Sequence, residues 1–181
     1  MMNLAALVAG FQQGGGTGAR RGARKYEPMI ASLNTALAER VLRTSLKRMA
    51  ELSAGVDPGI EWCGRVKTHR SASRKRLRNG PGAHEILDVI GVRAVTVHVS
   101  DCYRLIRLIH SEFPVLENEF DDYIAAPKLN GYQSLHTTVS SPCGFPIEVQ
   151  VRTRAMHAHA EGGAASHVRY KERQALEISR A

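Results

Sequence analysis

Four side chains able to hold a nucleotide recur at alternate positions in the stretch KLNGYQSLHTT, residues 128–138: Lys128, Asn130, Tyr132 and His136. On a strand, alternate side chains share a face, so Tyr132, Ser134, His136 and Thr138 lie together and Gln133, Leu135, Thr137 and Val139 lie opposite. A ring for stacking, an amide for a base edge and cations for phosphate suit a nucleotide. The structural alternative has Tyr132 capping a core and His136 pairing across a sheet, and this stretch alone leaves both open.

The strand-like stretch FPIEVQVRT adds to the same chemistry. Ile147, Val149 and Val151 form an apolar face, and Glu148, Gln150 and Arg152 form a polar one that would continue the Tyr132 and His136 face. Glu148 is either a solvated cross-strand partner of His136 or a carboxylate that holds Mg²⁺ or accepts a hydroxyl proton. Asp88 opens the most apolar stretch of the chain, where an unpaired charge is costly unless it points into a cleft or meets a metal. Arg93 interrupts the same stretch, and its flat guanidinium could stack on a purine. Asp88 and Arg93 differ by five positions, so a regular strand sends them to opposite faces, and a bulge or bend at Gly91 is expected to reconcile them.

Two further clusters are ambiguous. Seven cations lie between Arg65 and Arg78 with no acid among them, which suits either phosphate or a solvated face. Glu119, Asp121 and Asp122 crowd Phe120; they suit a metal, or at least one of them faces water or pairs with the basic run. His157, His159 and His167 do not make the one-turn spacing of a metal pair.

The elements that must position these residues follow from periodicity. A helix is expected from Tyr26 to about Leu52, with Pro28 in its first turn and Leu33, Leu37 and Val41 on its stripe. SAGVDPG ends it, and IEWCGRVK reads as a short strand. ILDVIGVRAVTVHV reads as a central strand buried on both faces. Ser100 or Asp101 is expected to cap a helix with Cys102, Leu105, Ile106 and Ile109 inside. EFDDYIA, YQSLHTTVS and FPIEVQVRT read as strands, the last two joined across SPCG. A closing helix follows, weakened at Gly162 and Gly163. The fold class is α/β, a mixed sheet of about five strands flanked by helices.

The chain has 181 residues, 43% of them apolar, enough for one real core. A formal charge of +8 favours polyanionic partners. Cys63, Cys102 and Cys143 are widely spaced without a Cys-x-x-Cys, which indicates neither a disulfide framework nor a zinc site. A reduced, cytoplasmic protein is expected. The opening MMNLAALVAGFQQ has no preceding basic residue and is too short to span a membrane. We divide the chain into a flexible basic leader (1–25), one domain (26–172) and a tail (173–181).

The order of GRVK, ILDVIGVR, EFDDYIAAPKLNGYQSLHTTV, IEVQVRT and MHAHAEGGAASHVRYK resembles the synthetase domain of the RelA/SpoT family of (p)ppGpp synthetases, over roughly Tyr26 to Lys171. Without a hydrolase region before it or a regulatory region after it, the chain is similar to a stand-alone small alarmone synthetase or to a piece limited to that domain. The resemblance implies a nucleotidyltransferase-like fold and transfer of the β,γ-pyrophosphate of ATP to the ribose 3′-hydroxyl of GDP or GTP. It implies that Arg65 and Arg93 sandwich the adenine and that Lys67, Ser71, Lys75 and Arg78 line the ATP phosphates. It places Asp88 and Glu148 on Mg²⁺, with Mn²⁺ as the alternative ion, and makes Glu148 the base for the 3′-hydroxyl. Tyr132 would stack on the acceptor guanine, aided by Lys128, Asn130, His136 and Gln150. EFDD resembles an acidic variant associated with a GDP preference.

Two departures from the pattern are visible. Ala72 replaces the usual aromatic or Ile after the Ser of the basic run, and little follows VRYKE of the helix through which many small synthetases assemble. The competing expectations are a toxic relative that pyrophosphorylates tRNA 3′ ends or adenosine nucleotides, and a noncatalytic RNA-binding domain. The set Lys128, Asn130, Tyr132 and His136 favours a guanine nucleotide, and the presence of both Asp88 and Glu148 favours catalysis.

Overall fold

The structure, a computed structural model, describes residues 33–67 and 89–162, apart from the side chains of Glu117 and Asn118. Ser71, Lys75, Arg78 and Asp88 lie outside the described residues, as do Pro28 and the expected helix before Leu33. Within the described residues the order is α1 (Thr35–Ser53), β1 (Glu61–Val66), β2 (Ile90–Thr96), α2 (Val99–Glu112), β3 (Val115–Asp122), β4 (Leu135–Ser140), β5 (Pro146–Thr153) and α3 (Arg154–Gly162).

The two longer helices start from different local causes. Asn34 is extended and its side-chain Oδ1 accepts from the Leu37 amide at 2.8 Å, so the described helix begins at Thr35 rather than at Tyr26. Ala38, Val41, Leu42, Ser45 and Met49 then recur at three and four residues and are buried. At α2 neither Ser100 nor Asp101 is the cap. His98 takes that position through its carbonyl, which accepts from the amides of Asp101 and Cys102, and Asp101 sits inside the first turn, where the helix dipole favours an acid. The expected inner face of α2 is observed, with Cys102, Leu105, Ile106 and Ile109 all fully buried.

The five strands lie in the order β1-β2-β5-β4-β3, with β2 and β5 parallel and the other pairs antiparallel. This is the mixed sheet expected from the sequence. β5 is its middle strand, and Ile147, Val149 and Val151 are fully buried on one side of it. α1 and α2 cover that side. Gly64 faces α1 so closely that a Cβ there would lie 2.6 Å from Leu42 Cδ1 and 2.8 Å from Leu46 Cδ1.

β2 is buried on both faces only over residues 94–96, and its first half departs from the apolar reading of its sequence. Ile90, Val92, Ala94 and Thr96 are buried under the helices, whereas Gly91 and Arg93 line a cleft on the other side. Two helices cover one face of the strand, and α3 reaches only part of the second. The ladder to β1 runs in register through Gly91 and the ladder to β5 begins at it without a shift, so of the bulge or bend expected there no bulge is present. β3 begins earlier than EFDDYIA suggested, and its pairing with β4 shifts between Val115 and Phe120.

The buried face of α2 gives a direct test of this packing. Replacing Ile106, fully buried in the core, with Ala is expected to cost about 2–5 kcal/mol of stability, read from the midpoint and slope of urea unfolding.

Candidate active site

The uncovered face of the sheet brings the sequence-selected residues together by register alone. Cys63 pairs with Arg93, Arg93 with Gln150, and Gln150 with His136 across four strands. One step along, Arg65 pairs with Gly91, Gly91 with Glu148, and Glu148 with Thr138. Cys63, Arg65, Gly91, Arg93, Glu148 and Gln150 line an open cleft.

Arg65 and Arg93 are diagonal neighbours on one face of the β1–β2 pair. Such neighbours lie roughly 7–8 Å apart. Two guanidiniums carried from such positions can be brought to either face of one flat ring, which needs about twice a 3.5–4.0 Å contact between them. Gly91 forms the floor between Arg65 and Glu148: a Cβ placed there would lie 3.7 Å from Arg65 Cγ and 3.9 Å from Glu148 Oε2.

Glu148 is the acid of this cleft, with 22% of its side chain exposed. Burial pushes its carboxyl up, but His136, Gln150 and Lys67 together outweigh burial and hold it below the ordinary carboxylate range. His136 Nδ1 lies 3.7 Å from Glu148 Oε1, and its Nε2 is 2.9 Å from the Tyr132 hydroxyl. Lys67, whose amide donates to the Val89 carbonyl at 2.8 Å, follows directly after β1.

Tyr132 lies outside the strand, since β4 begins at Leu135. Ser134 is fully buried with its hydroxyl donating to the Val151 carbonyl at 3.1 Å. Its side chain and His136 both bear on the Tyr132 hydroxyl, so the expected grouping of Tyr132, Ser134 and His136 is present although the first two precede the strand. Tyr132 reaches the site from a closed turn. The Gly131 amide donates to the Lys128 carbonyl at 2.7 Å, the Tyr132 amide to Asn130 Oδ1 at 3.2 Å, and the Lys128 amide to the Tyr132 carbonyl at 3.1 Å. Gly131 has a φ of 77°, in the left-handed region that favours glycine. Tyr123 and His136 meet the Tyr132 ring edge-on, and Lys128 Nζ sits 4.0 Å from the Tyr123 ring centre.

Two residues that the sequence did not single out, Tyr123 and Glu161, complete the site together with Asp122 and Arg152. Tyr123, its hydroxyl pushed up to about 12 by burial and by Asp121, walls the Tyr132 side. Asp122 anchors the loop after β3: its carboxylate accepts from the Tyr103 hydroxyl at 2.9 Å and from the amides of Ile124 and Ala125 at 3.0 and 2.8 Å. Asp122 is thus engaged in holding the fold. Arg152 and Glu161 form an ion pair at 3.0 Å beside the cleft. The alternation of β5 already put Arg152 on the polar face, whereas nothing in the local sequence signals Glu161. Among the described residues no three His, Cys, Asp or Glu side chains converge as a metal centre. Glu148 offers the hard oxygen donor that Mg²⁺ prefers, and fits as one ligand of such an ion.

Comparison with known proteins adds a second line of observation. The family model described as "Region found in RelA / SpoT proteins" matches residues 64–175, more than half of the chain. The chain is 45% identical over 109 residues to a GTP pyrophosphokinase of Escherichia coli strain K12, covering 60% of this chain and 15% of that protein. It is 46% identical over 109 residues to a bifunctional (p)ppGpp synthase/hydrolase of Mycobacterium tuberculosis, again covering 60% of this chain and 15% of that protein. The chain thus spans a small fraction of both relatives. The crystal structure of small alarmone synthetase 1 from Bacillus subtilis bound to its product pppGpp superposes with a TM-score of 0.58 at 26% identity, covering 77% of this chain and 84% of that one.

The floor of the cleft is open because Gly91 has no side chain. Gly91→Val suits a strand and is expected to leave the melting temperature unchanged while filling the space between Arg65 and Glu148. Thermal melts with and without ATP should then show a nucleotide-dependent rise for the parent chain and none for the variant.

Proposed function

The chain belongs to the RelA/SpoT family, and on that premise we propose that it transfers the β,γ-pyrophosphate of ATP to the ribose 3′-hydroxyl of GDP or GTP, making (p)ppGpp. The observation that carries this reading is the position of Glu148 on β5, with the strand of Arg93 on one side and the strand of His136 on the other. Neighbouring strands are about 4.8 Å apart, so the two flanking strands stand about 10 Å apart with the acid between them. That arrangement suits a donor base held by Arg65 and Arg93, an acceptor base stacked on Tyr132, and a reaction centre over Glu148.

In this reading the 3′-oxygen attacks the β-phosphorus of ATP. The bond from the β-phosphorus to the oxygen bridging the α-phosphate breaks, AMP leaves with that oxygen, and the hydroxyl proton passes to Glu148. The groups that hold Glu148 ionised also make it a weak base. Phosphoryl transfer tolerates this, because its loose transition state asks mainly for alignment and charge neutralisation. Lys67 supplies one cation beside the acid, and the resemblance assigns Ser71, Lys75 and Arg78 to the phosphates as well. Mg²⁺, when bound, neutralises charge on the transferring phosphate oxygens, and Glu148 with Asp88 are the carboxylates that would hold it. His136 orients Glu148 from one ring nitrogen and reaches toward Tyr132 with the other. Lys128, Asn130 and Gln150 complete the acceptor side.

The test is incubation of the chain with ATP labelled on the γ-phosphate and Mg²⁺, in parallel with GDP, GTP, AMP and deacylated tRNA. Label on GDP or GTP is the expected result. Label on tRNA or AMP alone would replace the acceptor, and no transfer to any acceptor would overturn the reading. Glu148→Gln is expected to lower kcat by about 10²–10⁴ while nucleotide binding is kept. Tyr132→Ala is expected to weaken the acceptor by about 1–3 kcal/mol, seen as a raised KM for GDP with the KM for ATP little changed.

A further inference from the structure

One carboxylate oxygen serves two guanidiniums at the end of α3. Glu161 Oε1 accepts from Arg93 Nη1 at 3.1 Å and from Arg152 Nη2 at 3.0 Å. Arg152 is buried, with 3% of its side chain exposed, and Arg93 is 31% exposed. The two arginines stand on the same face of neighbouring parallel strands, since Arg93 is level with Gln150 and Arg152 is two residues further along β5. Like charges that close repel, and a buried guanidinium without a counter-charge is costly. Among the described ion pairs, Glu161 is the acid that both share.

The same contacts continue to the other side of the cleft. Arg152 Nη2 also donates to His157 Nδ1 at 2.8 Å, and its guanidinium carbon lies 5.9 Å from the Tyr132 ring centre. Burial, with Arg152 and Arg93 adding to it, lowers the His157 imidazole, which keeps Nδ1 available as an acceptor. A chain of contacts therefore runs from Arg93 through Glu161 and Arg152 to Tyr132. Among the described residues the Nε atoms of Arg93 and Arg152 have no hydrogen-bond partner, so within them each guanidinium is held mainly from its outer end.

We propose that Glu161 is a positioning residue whose carboxylate sets Arg93 for the donor base and, through Arg152, backs Tyr132 for the acceptor base. This rests on the pyrophosphotransferase reading, in which those two side chains are the base platforms. Glu161 is 61% exposed, so its pair with the part-exposed Arg93 contributes little to stability. Loss of its charge beside the buried Arg152 costs some, which the oxygen of Gln only partly offsets. The carboxylate also sets where two flat groups stand. A role confined to stability would lower the melting temperature and leave the affinity of the folded protein alone.

The experiment is calorimetric titration of the full chain with a non-hydrolysable ATP analogue and, separately, with GDP. It compares the parent, Glu161→Gln, Arg93→Ala and the double variant, with melting temperatures alongside. The expected result is about tenfold weaker analogue binding by Glu161→Gln, weaker GDP binding by a smaller factor, and a lowered but still cooperative melting transition, with the affinities measured well below it. In the double variant the analogue should bind no more weakly than to Arg93→Ala alone, because the carboxylate acts through that arginine. Parent-like binding by Glu161→Gln, additive losses in the double variant, or a Glu161→Gln chain that does not fold would each overturn the inference and leave the pyrophosphotransferase reading standing. A folded parent that binds neither nucleotide would overturn that reading and the inference with it.

Discussion

The register of β5 between β2 and β4 is the constraint on which the cleft depends. A strand has a side-chain period of two, so one alternation decides both the core and the site. Ile147, Val149 and Val151 face the helices and are fully buried, while Glu148, Gln150 and Arg152 face away from them. A slip of one residue would put the carboxylate and the guanidinium under α2 and the three aliphatic side chains in the cleft. Burial of the apolar face thus fixes the position of Glu148 relative to Gly91 and Thr138 without any contact made by Glu148 itself.

That division also explains why the two faces tolerate such different chemistry. The covered face has His110, whose Nε2 lies 3.0 Å from the Thr137 hydroxyl and whose imidazole burial pushes toward the neutral form. The Cys102 thiol there is pushed up to about 11 by burial and faces the Thr96 hydroxyl at 3.0 Å. His110 and Cys102 on that side are neutral and paired. The cleft side instead holds Arg65, Lys67, Arg93 and Arg152 against Glu148 and Glu161, an excess of cations suited to polyanionic ligands. Charge is affordable there because the face is open to water at Arg65 and closed by ion pairs at Arg152.

The strands and their faces were legible in the sequence wherever local periodicity decides them. FPIEVQVRT and IEWCGRVK carry their alternation openly, and pairing them through β2 is what brings Arg65, Arg93, Gln150 and His136 onto one face. The failures have a common cause, which is that a residue type does not reveal its partner. ILDVIGVRAVTVHV looks buried on both faces, and Val95 is indeed buried, yet Gly91 and Arg93 on the same side line the cleft because the packing covers only part of that side. Asp122 has the composition of a metal ligand and is occupied by Tyr103 and two backbone amides. Glu161 reaches Arg93 across 68 positions, a contact set by the path of the chain from β5 into α3.

Tyr132 shows how a correct juxtaposition can arise from a mistaken element. Strand parity places Tyr132, Ser134 and His136 together, and they do meet at the Tyr132 hydroxyl, but from outside the strand, where Ser134 donates to the Val151 carbonyl and ties the loop to β5. With that residue anchored, the chain before it is free to leave the sheet, and the closed Lys128–Tyr132 turn with its left-handed Gly131 returns the ring over His136. A strand residue would be held at one height above the sheet. A ring carried by a turn and packed edge-on against Tyr123 and His136 can instead be set by its neighbours, which is why Arg152 behind it matters to where the ring stands.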